Sequence, residues 1–252
     1  MTDWTLDNCC DLLQAADDTL RPGGLELTAR LLTLGDFSAG SRVLDAGCGT
    51  GATLRYLAGT RGLTAVGVDC SRSLLLAARE ESGDSPLVCA ALEKLPFAEG
   101  SFDGIICECV LSQTAALAVL AEFSRVLRPG GRLLISDLYL KQTGCLSGMT
   151  SSDDLPATGE QPAHGKKPAR KQHSTREQIS AMLANAGFTV MHWEDRTAEL
   201  RQLALRLIMA PGSAPTNLFG WSNHTGCSLD EETKKGWKHV GYHLLVARRT
   251  TR

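Results

Sequence analysis

Several features that would point to particular functions are missing from this 252-residue sequence. No run approaches the roughly 20 consecutive apolar residues that a membrane-spanning helix needs, and the first residues lack the basic start and apolar stretch of a secretion signal. Basic and acidic residues nearly balance, 26 against 28, so no overall positive field attracts nucleic acid or an anionic membrane. We therefore expect a cytoplasmic protein whose partners include neither nucleic acid nor membrane.

The nine cysteines contain no C-x-x-C pair, the spacing typical of a zinc knuckle or a thioredoxin-like redox centre. An odd number of cysteines in a cytoplasmic chain indicates reduced thiols that act mostly as small apolar residues. We therefore expect no metal site.

Short apolar runs alternate with stretches of helical periodicity, which is typical of βαβ units and a parallel sheet. The predicted strands cover residues 42–45, 65–69, 87–90, 102–107, 132–137, 188–193 and 242–247. The predicted helices lie near residues 53–57, 73–81, 115–126, 175–185 and 200–208. Ser174 or Thr175 is placed to cap the helix that follows it.

We interpret residues 1–252 as one domain with three additions. Residues 1–40 form a helical cap, in which helix-like spacing is broken at residues 21–24. Residues 141–173, rich in Gly, Ser, Pro and charge, form a loop or lid; their basic stretch lacks the interleaved aromatic residues that stack on bases, which favours a surface loop over a nucleic-acid site. Residues 196–238 form a helical segment on the substrate side.

A glycine-rich turn follows the first predicted strand and opens a helix, a position where the backbone can approach a ligand closely. Gly47, Gly49 and Ala52 match G-x-G-x-x-A, the fingerprint of dinucleotide-binding enzymes. Asp69 ends the second strand and is suited to accept hydrogen bonds from a ribose diol, which NAD and S-adenosylmethionine both carry. A structural role for Asp69, capping the strand end, is the alternative.

Asp45, two residues before Gly47, separates these two ligands. A carboxylate at this turn would repel a pyrophosphate, whereas it would attract the ammonium and sulfonium groups of S-adenosylmethionine. The helix N-terminus can meanwhile receive the carboxylate of that ligand. Asp45 therefore favours S-adenosylmethionine over a dinucleotide.

Three segments together resemble class I S-adenosylmethionine-dependent methyltransferases, in the subgroup that contains ubiquinone/menaquinone C-methyltransferases and arsenite methyltransferases. They are residues 43–51 (VLDAGCGTG), 95–103 (LPFAEGSFD) and 127–133 (LRPGGRL), in the family's order within roughly residues 40 to 140. The resemblance implies an α/β, Rossmann-like, seven-stranded, mostly parallel sheet with helices on both faces and an antiparallel last strand.

The resemblance also implies the residues that bind the cofactor. The methionine part would be lined by Asp45, Gly47, Cys48, Gly49 and Gly51; Asp69 would hold the ribose, with Cys70 beside the adenine; Ala91, Leu92 and Glu93 would flank the adenine ring; Glu108 and Cys109 would lie near the methionine amino group and the transferred methyl. Many relatives carry Asp at the position of Ala91, so the contact with the adenine amino group is missing here or is made by Glu93.

The expected function is methyl transfer from S-adenosylmethionine to a small-molecule acceptor, by a monomer or homodimer, with the acceptor atom left open. In-line transfer from an activated sulfonium mainly needs alignment of the nucleophile, so no universal catalytic residue is expected. Glu108 is the best candidate for a base or a substrate contact, and binding of the cofactor ammonium is equally compatible with its position. Asp137 and Tyr139 are predicted at the same edge, with roles as a helix cap and a core aromatic as an equally good alternative, and the histidines at 173, 192 and 243 are interpreted mainly as loop or strand residues.

Three alternatives stay open. An arsenite-type methyltransferase would need converging thiolates from Cys107, Cys109 and Cys227, of which Cys107 and Cys109 are predicted to point to the same face of an extended strand. A cofactor-binding accessory protein without turnover is supported only by Ala91. An NAD-dependent oxidoreductase fits the glycine turn but not Asp45.

Overall fold

The computed structural model describes residues 21–60, 62–81, 83–141, 174–209 and 239–251. Within them the helices are α1 (Gly24–Gly35), α2 (Ala52–Ala58), α3 (Arg72–Glu81), α4 (Ala116–Val126), α5 (Arg176–Asn185) and α6 (Thr197–Met209). The strands are β1 (Arg42–Ala46), β2 (Thr64–Asp69), β3 (Leu87–Cys89), β4 (Phe102–Glu108), β5 (Leu127–Leu140), β6 (Phe188–Asp195) and β7 (Val240–Arg249). In these described residues, no helix is both long and apolar enough to cross a membrane.

The seven strands form one sheet in the order β3-β2-β1-β4-β5-β7-β6. Strands β1 to β5 pair in parallel, and β7 pairs antiparallel with both β5 and β6. The carboxyl ends of the parallel strands therefore meet at one edge, where ligands bind in open sheets of this kind. The predicted fold, including its antiparallel last strand, is confirmed.

Helices cover both faces of the sheet, each through its own apolar core. We call the first side the α1 face; its core joins the sheet to α1, α2, α3 and α6 through Leu31, Leu54, Leu75 and Leu200. The opposite side, the α4 face, packs against α4 and α5. Alternation near the carboxyl ends of β1, β4 and β5 and along β7 assigns the site residues on these strands to one of the two faces, and this decides which of them meet.

Several boundaries differ from the sequence prediction. Strand β5 begins at Leu127, directly after α4, instead of at residue 132, because Leu127 pairs with Phe102 of β4. Thr175 is the residue that caps α5, in a reciprocal pair with Gln178. The predicted lid, apart from Lys141, lies outside the described residues, as do the cap before residue 21 and the segment from 210 to 238.

Candidate functional site

The turn between β1 and α2 is built on three glycines with left-handed backbones, Gly47, Gly49 and Gly51, at φ 81°, 52° and 87°. The amide of Gly47 donates to the carbonyl of Val68 at 2.8 Å, which ties the turn to β2. A Cβ on Gly47 would lie 2.4 Å from Cγ2 of Val110, whereas one on Gly49 would meet nothing within 4 Å. Gly47 thus packs against protein, and Gly49 presents bare backbone to open space that a ligand can fill.

Asp69, at the end of β2, braces this turn. One carboxylate oxygen accepts from the amide of Gly49 at 3.0 Å and the other from the amide of Ser71 at 2.8 Å. Asp69 therefore has the structural role that was considered as an alternative, since it caps the end of β2 and holds the turn. Each oxygen keeps a second lone pair, so Asp69 can still accept hydrogen bonds from a ribose.

Glu108, the last residue of β4, is buried at the centre of a polar cluster on the α1 face. Its carboxylate accepts from the hydroxyls of Thr53 at 2.9 Å, Thr28 at 3.1 and 3.2 Å, and Ser136 at 3.4 Å. Arg21 Nη2 lies 3.4 Å from the same carboxylate. Glu108 is therefore already satisfied by protein groups and anchors the residues around it.

Asp45 lies on the same face, on the neighbouring strand, and is only 3% exposed. Its Oδ2 atom is buried and has no hydrogen-bond partner. Burial and then the nearby charge of Glu108 raise the pKa of Asp45 from 3.8 to about 8, although Arg21 acts in the opposite direction. Beside the glycine turn, this unpartnered buried carboxyl is a group whose negative charge either a proton or a bound cation can compensate.

Arg21 is a site residue that the sequence analysis missed. Its side chain is 13% exposed and donates to the Thr28 hydroxyl at 2.8 Å, while its buried Nε–H has no partner. The only sequence signal for it is its place before the helix-breaking Pro22-Gly23 pair, which marks a turn and not a function. The structure thus adds a cation to a site where the sequence showed only carboxylates.

A chain of hydrogen bonds runs from Cys109 into this cluster. The thiol of Cys109 lies 3.1 Å from the hydroxyl of Tyr242, which donates to Ser136 Oγ at 3.0 Å, and Ser136 in turn reaches Glu108. Cys109 has φ 58°, an uncommon conformation for a residue with a side chain and one that often marks functional sites. No sequence motif identifies the other members of this cluster, Thr28, Thr53, Ser136 and Tyr242. In the sequence, each is only a polar residue within an apolar stretch.

The prediction that Cys107 and Cys109 point to one face is wrong. Strand β4 ends at Glu108, and the left-handed residue Cys109 turns the chain, so Cys107 packs in the core of the α4 face and Cys109 against that of the α1 face. Burial, followed by the charge of Asp137, raises the pKa of Cys109 to about 12 and that of Cys107 well above its usual value. Both are therefore neutral thiols, and Cys227 lies outside the described residues.

The residues assigned to adenine lie along the neighbouring strand ends. Cys70 and Ala91 are exposed and Leu92 is buried in the core of the α4 face. The carboxylate of Glu93 lies 3.5 Å from the amide of Ala115, ahead of α4. The Glu93 carboxylate is therefore directed toward the start of α4, although Glu93 is only two residues from Ala91 in sequence.

Asp137, Tyr139 and His243 lie on the opposite, α4 face, in structural surroundings. Asp137 accepts from the amide and hydroxyl of Ser112 at 2.8 and 2.7 Å. His243 stacks on Trp193 with ring centroids 4.3 Å apart, and burial lowers its pKa to about 3. Within the described residues, no group of three or more His, Cys, Asp or Glu side chains is placed to hold a metal ion.

Comparison with known proteins connects this site to a family. A family model described as a methyltransferase domain matches residues 44–135, which contain the glycine turn, Asp69 and Glu108. An O-methyltransferase of Pyrenophora dematioidea is 30% identical over 223 residues, covering 84% of this chain and 76% of the relative. The chain belongs to the class I S-adenosylmethionine-dependent methyltransferase family. The cofactor of this family is S-adenosylmethionine.

Solved structures agree with this methyltransferase fold. The [4+2]-cyclase SpnF matches with a TM-score of 0.72 and 21% identity, over 97% of this chain and 96% of that one. Phosphoethanolamine N-methyltransferase 2 of Haemonchus contortus, solved in complex with S-adenosyl-L-methionine, matches with a TM-score of 0.69 and 18% identity, over 99% of this chain and 58% of that one. The chain spans about half the length of several other curated relatives that it matches.

Proposed function

We propose that this protein transfers the methyl group of S-adenosylmethionine to a small-molecule acceptor. The observation that carries the proposal is the buried, unpartnered Oδ2 of Asp45 beside the open backbone of Gly49. The Asp45 oxygen and the Gly49 backbone together fit a ligand that carries a positive group at one end. The positive group would meet Asp45, and the neighbouring atoms of the ligand would lie along the glycine turn. A pyrophosphate would bring two negative charges to the same carboxyl.

The cofactor's amino-acid end is assigned to Asp45, Arg21 and the glycine turn. Asp45 would bind the ammonium, and the unused Nε–H of Arg21 would bind the carboxylate, since guanidinium groups are good carboxylate partners. Glu108 would hold Arg21 in place instead of contacting the cofactor ammonium itself. Cys48 and Cys109 would lie close to this end.

The adenosine end is assigned to the ends of β2 and β3. Asp69 would accept from the ribose hydroxyls with its remaining lone pairs. Ala91 and Leu92 would flank the adenine, with Cys70 beside it. We propose that, among the residues that the structure describes, no carboxylate accepts from the adenine amino group, because alanine at position 91 has none and the Glu93 carboxylate lies near the Ala115 amide.

When bound, the cofactor supplies a methyl group that is already activated by its sulfonium. The residues of this chain therefore have to bind the cofactor and the acceptor, orient the acceptor toward the methyl group, and exclude water. The names of relatives support a small-molecule acceptor, since they include an O-methyltransferase and a phosphoethanolamine N-methyltransferase. The arsenite alternative loses support, because Cys107 and Cys109 lie against different cores and are neutral thiols.

Thermal unfolding with added ligands tests the cofactor assignment. At a hundredfold excess over Kd, S-adenosylhomocysteine should stabilise the protein by about 2.7 kcal/mol, which corresponds to roughly 5–10 °C in Tm at this size. NAD should give no shift. Asp69→Asn should lose most of the shift, while Asp36→Asn, an exposed residue, should keep it. A shift with NAD alone would contradict the proposal.

Turnover is tested separately. The protein is incubated with S-adenosylmethionine labelled in its methyl group and with the small-molecule fraction of a cell extract. Label should appear in a low-molecular-weight product, and Asp69→Asn should reduce it strongly. Binding of the cofactor without any labelled product would favour the accessory-protein alternative.

A further inference from the structure

The charges in the polar cluster of the α1 face do not balance. Asp45 from β1 and Glu108 from β4 face a single described cation, Arg21. The other titratable groups near Asp45 are Asp69 at the end of β2 and the thiols of Cys48 and Cys107, none of which adds positive charge. Tyr242 of β7 reaches the cluster through Ser136 and is likewise not a cation.

The hydrogen bonds show which carboxyl lacks a partner. Glu108 accepts from three hydroxyls and pairs with Arg21, so its charge is compensated. Asp45 has a buried oxygen without any partner. A buried carboxyl without compensation keeps its proton, because burial penalises the charged form.

We propose that binding of S-adenosylmethionine is coupled to the release of one proton from Asp45. This inference rests on the proposed function, in which the cofactor's ammonium meets Asp45. In the loaded site, the ammonium of the cofactor would lie against the Asp45 oxygen that has no partner in the free protein. A cation at that oxygen compensates the charge that Asp45 gains when it releases its proton.

The titration of Asp45 agrees with this linkage. Its pKa of about 8 in the free protein means that Asp45 is mostly protonated at pH 7. A cation placed against it favours the ionised form and lowers that pKa. Binding at pH 7 therefore expels a proton, whereas binding well above pH 8 meets an Asp45 that is already ionised.

Isothermal titration calorimetry measures this proton directly. The full-length protein is titrated with S-adenosylmethionine at pH 7 in phosphate and in Tris, whose heats of ionisation differ. The dependence of the binding heat on buffer should correspond to the release of close to one proton. Asp45→Asn should release almost none and bind more weakly, and Asp36→Asn should behave as the wild type.

The pH dependence of affinity gives a second readout. Between pH 6 and 8 wild-type affinity should rise relative to that of Asp45→Asn, by up to about tenfold per pH unit at the acid end, and the ratio should level off above pH 8. Because the cofactor's own amine titrates identically with both proteins, the ratio isolates Asp45.

The two proposals fail differently. Tight binding by the wild type without proton release overturns the inference and leaves the proposed function standing, and this result needs no variant. Release that persists unchanged in Asp45→Asn also overturns it, because another group then supplies the proton. Absence of S-adenosylmethionine binding at every pH overturns the proposed function itself.

Discussion

At the scale of single residues, Gly47 and Gly49 share a left-handed backbone but have different surroundings. Gly47 is closed in by Val110, and Gly49 faces open space. The first glycine is therefore needed for the fold of the turn, and we propose that the second gives the ligand access to its backbone. Burial of Asp45 without a partner for its Oδ2 atom costs stability, and we propose that this cost is retained because the same oxygen binds the cofactor.

Alanine at these two glycines should separate stability from binding. Gly49→Ala should cost about 1–2 kcal/mol for the left-handed backbone. Gly47→Ala should cost about 2–5 kcal/mol, because roughly 1–3 kcal/mol of overpacking against Val110 is added. Urea unfolding gives these free energies, and calorimetry gives the affinity for S-adenosylhomocysteine.

Gly49→Ala should lose affinity out of proportion to its small loss of stability, because its methyl group points into the open space beside the turn. Equal costs of unfolding for the two variants would contradict the packing difference. Unchanged affinity in Gly49→Ala would remove the role given to its backbone.

At the scale of elements, α1 has to be held on the sheet because it carries Thr28 and follows Arg21. Its Arg30 donates two hydrogen bonds to Glu194 of β6, at 2.7 and 3.1 Å. Glu194 also contacts His192 and Arg196. Burial raises the pKa of Glu194, but the hydrogen bonds from these three side chains outweigh it and lower that pKa from 4.5 to about 2.

Glu194→Gln should therefore destabilise the protein in a pH-dependent way. Because the folded state holds Glu194 ionised below its ordinary pKa, its contribution is complete above pH 4.5 and is lost as pH falls toward 2. Urea unfolding should show the variant to be less stable by about 1 kcal/mol at pH 7. The difference in unfolding free energy between the variant and the wild type should become smaller below pH 4.5.

The exposed Glu80 provides the matched control. Glu80→Gln should stay within about 0.5 kcal/mol of the wild type at either pH. A gap between Glu194→Gln and the wild type that is the same at pH 7 and pH 3 would show that altered packing, not charge, is responsible.

At the scale of the whole molecule, the sheet separates two buried polar regions with opposite pH behaviour. On the α1 face, Asp45 keeps a proton that the unfolded chain has lost, so its contribution to stability falls as pH rises from 3.8 to 8. On the α4 face, His243 is buried against Trp193 and stays neutral. Asp45 and His243 therefore contribute to stability with opposite dependence on pH.

His243→Phe should reduce the acid sensitivity of the fold. The pKa of His243 falls from 6.5 to about 3 on folding, mainly through burial and against an opposing contact with the Asp137 backbone. The unfolded chain therefore takes up a proton below pH 6.5 that the native state refuses, and stability is lost from pH 6.5 toward 3. The slope of unfolding free energy against pH should become flatter in the variant.

His239→Gln is the control, because His239 is only partly buried. It should keep the wild-type slope between pH 6.5 and 4. A wild-type slope in His243→Phe as well would show that acid sensitivity arises elsewhere.

The sequence by itself determined the order of elements, the glycine turn and the positions of Asp45 and Asp69. These are local signals: periodicity, turn glycines and an acid at a strand end each depend on a few neighbouring residues. Once the strands are parallel, their carboxyl ends must meet at one edge. Alternation failed at Cys109, because the strand had ended one residue earlier and the backbone turned.

Only the tertiary structure decided how the charges are compensated. Thr28 and Glu108 are 80 residues apart in sequence, and Arg21 is further still, so no local pattern relates them. The protonation of Asp45 likewise depends on burial and on neighbours from other strands. Short-range spacing fixes where a side chain is attached, whereas packing of distant elements fixes the partners and the dielectric surroundings that set its charge.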